Sequence, residues 1–276
     1  MKPSTILITG VSSGFGRAIA TAALERGHRV LGTVRGAEAA RAFEALAPGR
    51  ALARVLDLAD LHAVDGAVRD LEDAAGPIDA LVSNAGYGHE GILEESPLDE
   101  LLRQFGVNVF GAVAMIKAVL PGMRARRAGR IVNITSMGGF ITMPGIAYYC
   151  GSKFALEGIS ETLAQEVRPL GIHVTAVAPG SFRTDWAGRS MRRSPRGIPD
   201  YDSLFDPIRQ AREAKSGRQA GDPAKAAAAI LDLLAHPAPP GHLLLGSDAL
   251  ALVRAKLARL SGELDAWAAV STSTDY

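Results

Sequence analysis

Short runs of apolar, largely β-branched residues alternate with longer stretches of mixed apolar and polar positions along nearly the whole chain. The short runs fall near residues 4 to 9, 29 to 34, 51 to 56, 78 to 82, 130 to 135, 172 to 177 and 242 to 245. This alternation predicts an α/β fold, a doubly wound parallel sheet of about seven strands with helices on both faces. One segment breaks the rhythm. Residues 181 to 221 carry Pro195, Pro199, Pro207 and several glycines and show no clean period. A long irregular connection inside a compact domain is uncommon and usually functional, so a substrate lid is expected there. Residues 248 to 267 read as a helix, with Leu250, Val253, Leu257, Leu260 and Leu264 spaced for one buried face. The polar tail from Ser271 to Tyr276 is expected to fray. No internal repeat or low-complexity linker interrupts the pattern.

Composition changes this picture little. A prior of roughly 150 residues per domain would divide the chain in two, but α/β folds exceed that as one unit, so one domain over residues 1 to 276 is expected. The apolar fraction of 47% is ample for a core, and a formal charge of +1 gives no general field for steering nucleic acid or acidic membranes. Cys150 is the only cysteine, so no intrachain disulfide forms. The histidines, His28, His62, His89, His173, His236 and His242, lack the close pairing of a zinc site, and no catalytic metal is expected. The start, Met1-Lys2-Pro3-Ser4 running into Ile6-Leu7-Ile8, is too short for a signal peptide, and no uncharged apolar run of about 18 residues is present to span a bilayer. The expectation is a soluble cytoplasmic protein without nucleic-acid or membrane partners.

The distinctive residues cluster at predicted strand ends, where open parallel sheets bind ligands. After the first strand come Gly10, Ser12, Ser13, Gly14, Phe15 and Gly16; after the second, Arg35; after the third, Asp57 and Leu58; after the fourth, Asn84, Ala85 and Gly86; after the fifth, Ser136; after the sixth, Pro179 and Gly180. Glycines let the backbone turn tightly and approach phosphate oxygens, while free N–H groups at the next helix N-terminus face the anion. In dinucleotide sites an acid after the second strand binds the ribose 2′-OH, whereas an arginine accommodates a 2′-phosphate. Leu31-Gly32-Thr33-Val34-Arg35 has the arginine and no acid, which favours NADP(H) over NAD(H). Asp57 is read both as an acceptor for the adenine amino group and as a helix cap.

Tyr149 and Lys153 stand one helical turn apart, thirteen residues after Ser136. With Thr9-Gly10-x-x-x-Gly14-x-Gly16, Asn84-Ala85-Gly86, Asn108 and Pro179-Gly180-x-x-x-Thr184, they occur in an order and spacing that resembles the short-chain dehydrogenase/reductase family, in its shorter branch. The resemblance covers nearly the whole chain and implies a Rossmann-like fold, hydride transfer between nicotinamide and a carbonyl or secondary alcohol, and a homodimer or homotetramer formed through the helices around Asn108 and Tyr149. It implies Tyr149 as general acid/base, Ser136 as stabiliser of the carbonyl oxygen, Lys153 on the nicotinamide ribose, and Asn108 holding a water in the proton relay. Thr184 would hold the carboxamide, with Phe182 and Pro179 lining the nicotinamide. Ser83 departs from the family's usual Asn-Asn-Ala-Gly, and the lid is long.

Ketone reduction needs a proton donor and a fixed hydrogen-bond donor at the developing oxyanion. A free phenol titrates near pH 10, so working near neutrality takes roughly 4 kcal/mol of preference for the phenolate. Lys153, on the same helix face, is expected to supply part of it. Tyr148 competes for the role of Tyr149, but the residue four positions on is Ser152, not a cation. Cys150 is read as buried and inert.

The lid carries Trp186, Met191, Tyr201, Leu204 and Phe205 alongside Arg189, Arg192, Arg193 and Arg196. Its apolar lip suggests a hydrophobic or aromatic substrate, while the arginines are read as a solvated face before an anion site. Two rival readings stand beside this one. A ketoacyl-thioester reductase would use Arg127 as a docking cation, although its second docking position holds Leu170; a non-catalytic NADP(H)-sensing module would not need the tyrosine.

Overall fold

The structure is a computed structural model that describes residues 4–184, 186, 188 and 190–276; Arg189 of the lid arginines lies outside the described residues. Seven strands form one sheet: β1 (Thr5–Thr9), β2 (Arg29–Val34), β3 (Ala51–Val55), β4 (Ala80–Ser83), β6 (Gly129–Ile134), β7 (Ile172–Pro179) and β9 (His242–Leu245). Their order is β3-β2-β1-β4-β6-β7-β9, parallel throughout. β1 is buried along its whole length, as a strand covered on both faces must be.

Helices cover both faces. On one, α1 (Gly14–Glu25), α2 (Ala37–Glu44) and α8 (Pro223–Ala235) pack Ile19, Ala23, Phe43, Ala227, Ile230 and Leu231 on the sheet. On the other, α3 (Leu61–Ala75), α5 (Ala112–Arg126) and α6 (Ala147–Val167) contribute Val64, Val68, Leu71, Met115, Val119 and Leu163. The order of strands reverses between β1 and β4, so the first connection runs outward in one direction and the second in the other, leaving a crevice at the strand C-termini.

α4 (Leu98–Phe105) leads into a π-helical turn, Gly106–Gly111, and then into α5. By length and composition the stretch Leu98–Arg126 could cross a membrane, yet its inner side packs against α3, α6, β4 and β6. Gly111 lets this helix lie close to the turn after β3: a Cβ there would stand 2.7 Å from the Leu58 carbonyl oxygen.

The segment expected to be irregular is more ordered than its sequence suggests. It contains β8 (Met191–Arg193), paired in parallel with β5 (Gly88–Glu90), a 3-10 turn (Pro199–Tyr201) and α7 (Asp202–Ala214). α7 escapes a periodicity search because it buries one large side chain, Phe205, and carries Pro207 inside it. Phe205 rests on Gly145, whose φ is +78° and whose added Cβ would lie 2.0 Å from the ring.

Carboxylates from the β5 region hold this segment down. Glu90 is 1% exposed and meets Arg193 at 3.0 Å, Arg209 at 3.5 Å and Arg212. Glu95 accepts from the amides of Gly197 at 2.6 Å and Ile198 at 2.8 Å and from Arg196 at 3.0 Å.

The last helix, α9 (Ser247–Thr272), is longer than expected and reaches into the tail read as fraying. Its predicted buried face is not buried: of the five spaced residues only Val253 is covered, while Leu257 is 54% and Leu264 63% exposed. Periodicity found the stripe, but from Leu257 onward none of the described residues buries it.

Candidate active site

The crevice holds about 570 Å³. Gly10, Ser12, Ser13, Gly14, Phe15, Arg35, Asp57, Leu58, Asn84, Ala85, Gly86, Tyr149, Lys153 and Thr184 line it, bringing fourteen of the residues expected from sequence to one cavity. Gly16, Asn108, Ser136, Pro179, Gly180 and Phe182 are not on its wall, and each has a packing or bonding role just behind it.

The glycine turn is braced by side chains from neighbouring strands. Thr9 Oγ1 accepts from the amides of Asn84 and Ala85, both at 2.9 Å, and Asn84 Nδ2 donates to the Thr9 carbonyl at 2.9 Å. Thr33 Oγ1 accepts from the Gly10 amide at 3.1 Å. A Cβ on Gly16 would lie 2.2 Å from the Gly10 carbonyl oxygen, so Gly16 is required for the closeness of turn and helix rather than for contact with a ligand. Ser83, the departure at the end of β4, leaves its Oγ buried without a hydrogen-bond partner among the described residues.

This cradle fits a pyrophosphate. Ser13 at the N-cap of α1 makes no side-chain capping bond and the first turn holds no acid, so the first amides of α1 are left for an anion from outside. Arg35 is exposed at the end of β2, lines the crevice, and has no ion-pair partner among the described residues. Asp57 faces the crevice and is not the helix cap: its Oδ1 accepts from the Ala59 amide at 3.0 Å within the turn after β3, while the N-cap of α3 is Asp60, whose side chain accepts from the Ala63 amide. Phe182 packs its ring on Phe15 at 5.0 Å, holding the turn after β7 to the start of α1.

Tyr149 and Lys153 line the same crevice. Tyr149 and Ser136 both lie against Gly138, and the Ser136 Oγ accepts from the Gly138 amide at 3.0 Å. Tyr149 packs against Trp186, ring centres 4.9 Å apart. Lys153 Nζ donates to the Ile134 carbonyl at 2.8 Å and lies 5.8 Å from the Tyr149 ring centre. Asn108 sits on the π-helical turn and is buried. Its Oδ1 accepts from the Tyr87 amide at 3.1 Å, and its Nδ2 donates to the Tyr87 carbonyl at 3.1 Å and to Ser152 Oγ at 3.2 Å. Ser152 in turn donates to the Tyr149 carbonyl at 2.7 Å. Asn108 thus ties the Tyr87 backbone, through Ser152, to the Tyr149 carbonyl.

The electrostatics differ from the sequence expectation in sign. Burial pushes the Tyr149 phenol above its ordinary value, with Ser136 pulling the other way. Burial also lowers Lys153 to about 8. In the protein alone the lysine does not acidify the phenol: desolvation disfavours the charged form of both groups, and the ammonium is turned to a backbone carbonyl.

Several residues here carried signals that the sequence reading passed over. Glu157 follows Lys153 by four residues on α6, continuing the spacing of Tyr149 and Lys153. Burial raises its carboxyl above the usual range, while His242 Nδ1 on β9 is hydrogen-bonded to its Oε2 at 2.9 Å. Tyr87, Arg103, Val107, Trp186 and Arg192 also line the crevice. Burial pushes the Tyr87 phenol up to about 12. The other tyrosine is excluded by its bonds: Tyr148 donates to the Ser96 carbonyl at 2.7 Å and stacks on His89. Cys150 is buried and its thiol is raised by burial.

Residues 4–194 match the family profile described as short chain dehydrogenase. Among curated proteins, the chain is 35% identical over 268 residues to oxidoreductase BOA17 of Botryotinia fuckeliana, covering 97% of each. It is 40% identical over 247 residues to a 3-ketodihydrosphingosine reductase of Bacteroides thetaiotaomicron, covering 89% of each. Among solved structures, a short-chain dehydrogenase from Streptomyces avermitilis superposes with a TM-score of 0.93 at 42% identity, covering 99% of both chains.

Proposed function

The chain belongs to the short-chain dehydrogenase family, and from that premise we propose an NADP(H)-dependent reductase of hydrophobic or aromatic ketones, with Tyr149 as general acid. The observation that carries this reading is Tyr149 beside Ser136 across Gly138, with Tyr149 and Lys153 in the same crevice as the glycine turn. A cofactor-sensing protein would need the turn and not this pair.

The cofactor would lie along Gly10 to Gly16, with its adenosine end at Arg35, Asp57 and Leu58 and its middle over Asn84, Ala85 and Gly86. Its far end would meet Pro179, Gly180, Phe182 and Thr184. The hydride is what a bound nicotinamide contributes. Ser136 donates a hydrogen bond to the carbonyl oxygen, Tyr149 delivers the proton, and Lys153 holds positive charge beneath them. A phenol kept protonated by burial suits reduction, where the group must arrive at the reaction with its proton. Asn108 orients the tyrosine's helix through Ser152. Arg35, exposed and without an acidic partner among the described residues, supports NADP(H) over NAD(H).

Substrate enters beside Trp186 under the segment 181–221, which acts as the lid. The aromatic lip and the ketone named in the 40% identical relative both support a hydrophobic ketone. Of the lid arginines, Arg193 and Arg196 are engaged by Glu90 and Glu95, whereas Arg192 lines the crevice 3.5 Å from Glu100. The thioester reading is weakened at Arg127, which donates to the Pro169 carbonyl at the end of the sheet away from the crevice. Pairing of two chains through α4, α5 and α6 would cover Leu98, Leu102, Phe110 and Phe154, all exposed.

The test is oxidation of NADPH and of NADH across aromatic ketones, aldehydes, long-chain ketones and a ketoacyl thioester, run beside Tyr149→Phe. Turnover with NADPH on hydrophobic ketones is expected, and its loss in Tyr149→Phe with cofactor binding intact. An active Tyr149→Phe enzyme overturns the assignment.

A further inference from the structure

Every residue from Leu257 to the end of the chain is exposed, although α9 runs as an unbroken helix to Thr272. Only Ala249 and Val253, in its first two turns, are buried against the body of the protein. Leu250, Val253, Leu257, Leu260, Leu264 and Trp267 follow each other at steps of three and four, the 3.5-residue repeat of a helix that packs along a narrow seam on another helix. From Leu257 onward that seam stands free, with Leu257 54%, Leu260 38%, Leu264 63% and Trp267 67% exposed. A bare helix of this length is marginal in water, so a continuous one with an apolar seam calls for a partner.

Charge identifies the partner. Arg254, Lys256 and Arg259 precede the middle of the seam, and Glu263 and Asp265 follow it. Two such helices side by side in the same direction would set like charge against like. Reversed about Leu260, each basic half lies along the other's acidic half, and the helix dipoles also oppose favourably. Among the described residues the one ion pair on α9 is Arg259 to Glu263 at 3.8 Å, between exposed groups that remain available to a neighbour. A lipid surface fits less well: with Asp248 the helix carries equal numbers of acids and bases, and its apolar seam is narrow, whereas surface-seeking helices have a broad apolar face and excess base.

We propose that α9 is a self-association element, pairing antiparallel with α9 of a second copy about Leu260, so that Leu257 of each lies beside Leu264 of the other and the two Leu260 side chains meet at the centre. This surface is separate from the faces of α4, α5 and α6, and the inference holds whichever carbonyl compound the crevice accepts.

Two variants, Leu257→Cys and Leu264→Cys, mixed under mild oxidation, test the pairing directly; wild-type protein, whose one cysteine is buried, is the control. A cross-linked dimer in the mixture, at several times the yield of either variant alone, is the expected result. Equal or greater cross-linking within each single variant would mean parallel pairing, and no cross-link in any sample would mean no pairing; either overturns the proposal. Charge reversal reads the same contact in solution. Lys256→Glu with Arg259→Glu should weaken self-association at least tenfold by sedimentation at low salt, and mixing with Glu263→Lys/Asp265→Lys protein should restore it. Unchanged association in the first variant, or flotation of the wild type with anionic vesicles at the expense of self-association, would refute it. Circular dichroism on each variant keeps a folding defect apart from a lost contact, since the substituted residues lie beyond the body of the protein.

Discussion

Lys153 is a charge held where water does not reach, and that has a measurable consequence for stability. Its pKa is lowered from 10.5 to about 8, chiefly by burial. Between those two values the folded chain holds fewer protons than the unfolded one, so stability rises with pH through the window, and below pH 8 the full penalty of the buried ammonium is present. Lys153→Met should therefore stabilise the protein by about 2 kcal/mol at pH 7, after the lost bond to Ile134 is set against the relief. Thermal denaturation from pH 7 to pH 10.5 should show that gain shrinking, and a variant less stable than wild type at pH 7 would contradict it. Arg35→Ala should raise the NADPH dissociation constant about 10-fold while leaving that for NADH nearly unchanged, since a 2′-phosphate partner is what is removed. Equal effects on the two cofactors would end the preference for NADP(H). At this scale the sequence spoke through spacing. Tyr149, Lys153 and Ser136 could be found by their intervals, because an interval of four on a helix fixes a shared face. The direction of the Tyr149 shift could not be found, because it depends on how much protein surrounds the ring.

Among the elements, strands were more legible than the segment that joins β7 to α8. A strand covered on both faces is largely apolar, and β2 and β7 begin where their hydrophobic runs begin. α7 has no such obligation. It is held by Phe205 in the notch at Gly145 and by arginines gripping Glu90, none of which generates a repeat. Phe205→Ala should cost about 3 kcal/mol of local stability. The loss should appear as faster amide exchange across α7 and a raised KM, with little change in cofactor affinity. Glu90→Gln should act in the same direction through the arginines, which would then face one another with less negative charge between them. α9 is the reverse case. Its seam was plain in the sequence, and its exposure was not, because a heptad pattern says that a helix is covered without saying by what.

For the molecule as a whole, the crevice joins residues from both halves of the sheet, so a ligand bound there ties together parts of the chain far apart in sequence. NADPH at a hundredfold excess over its dissociation constant should stabilise the fold by about 2.7 kcal/mol, seen as a raised melting temperature. No shift with either NADPH or NADH would remove the cofactor reading altogether. The parallel sheet could be inferred from the rhythm of the sequence, whereas the π-helical turn at Gly106–Gly111 left no trace there, since its residues are ordinary helix formers between two glycines. That turn has a mechanical implication. Gln104 and Asn108 both donate to the Tyr87 carbonyl, one from before the widened turn and one from within it. Deleting a single residue between them would restore regular winding, yet would swivel everything upstream by about 100° relative to α5. Only one of the two amides could then keep its grip, and Leu98 and Leu102 would swing away from their present outlook. The interior clasp and the exterior leucine row are geared through one loosened coil, so neither can be re-engineered by shortening without disturbing the other.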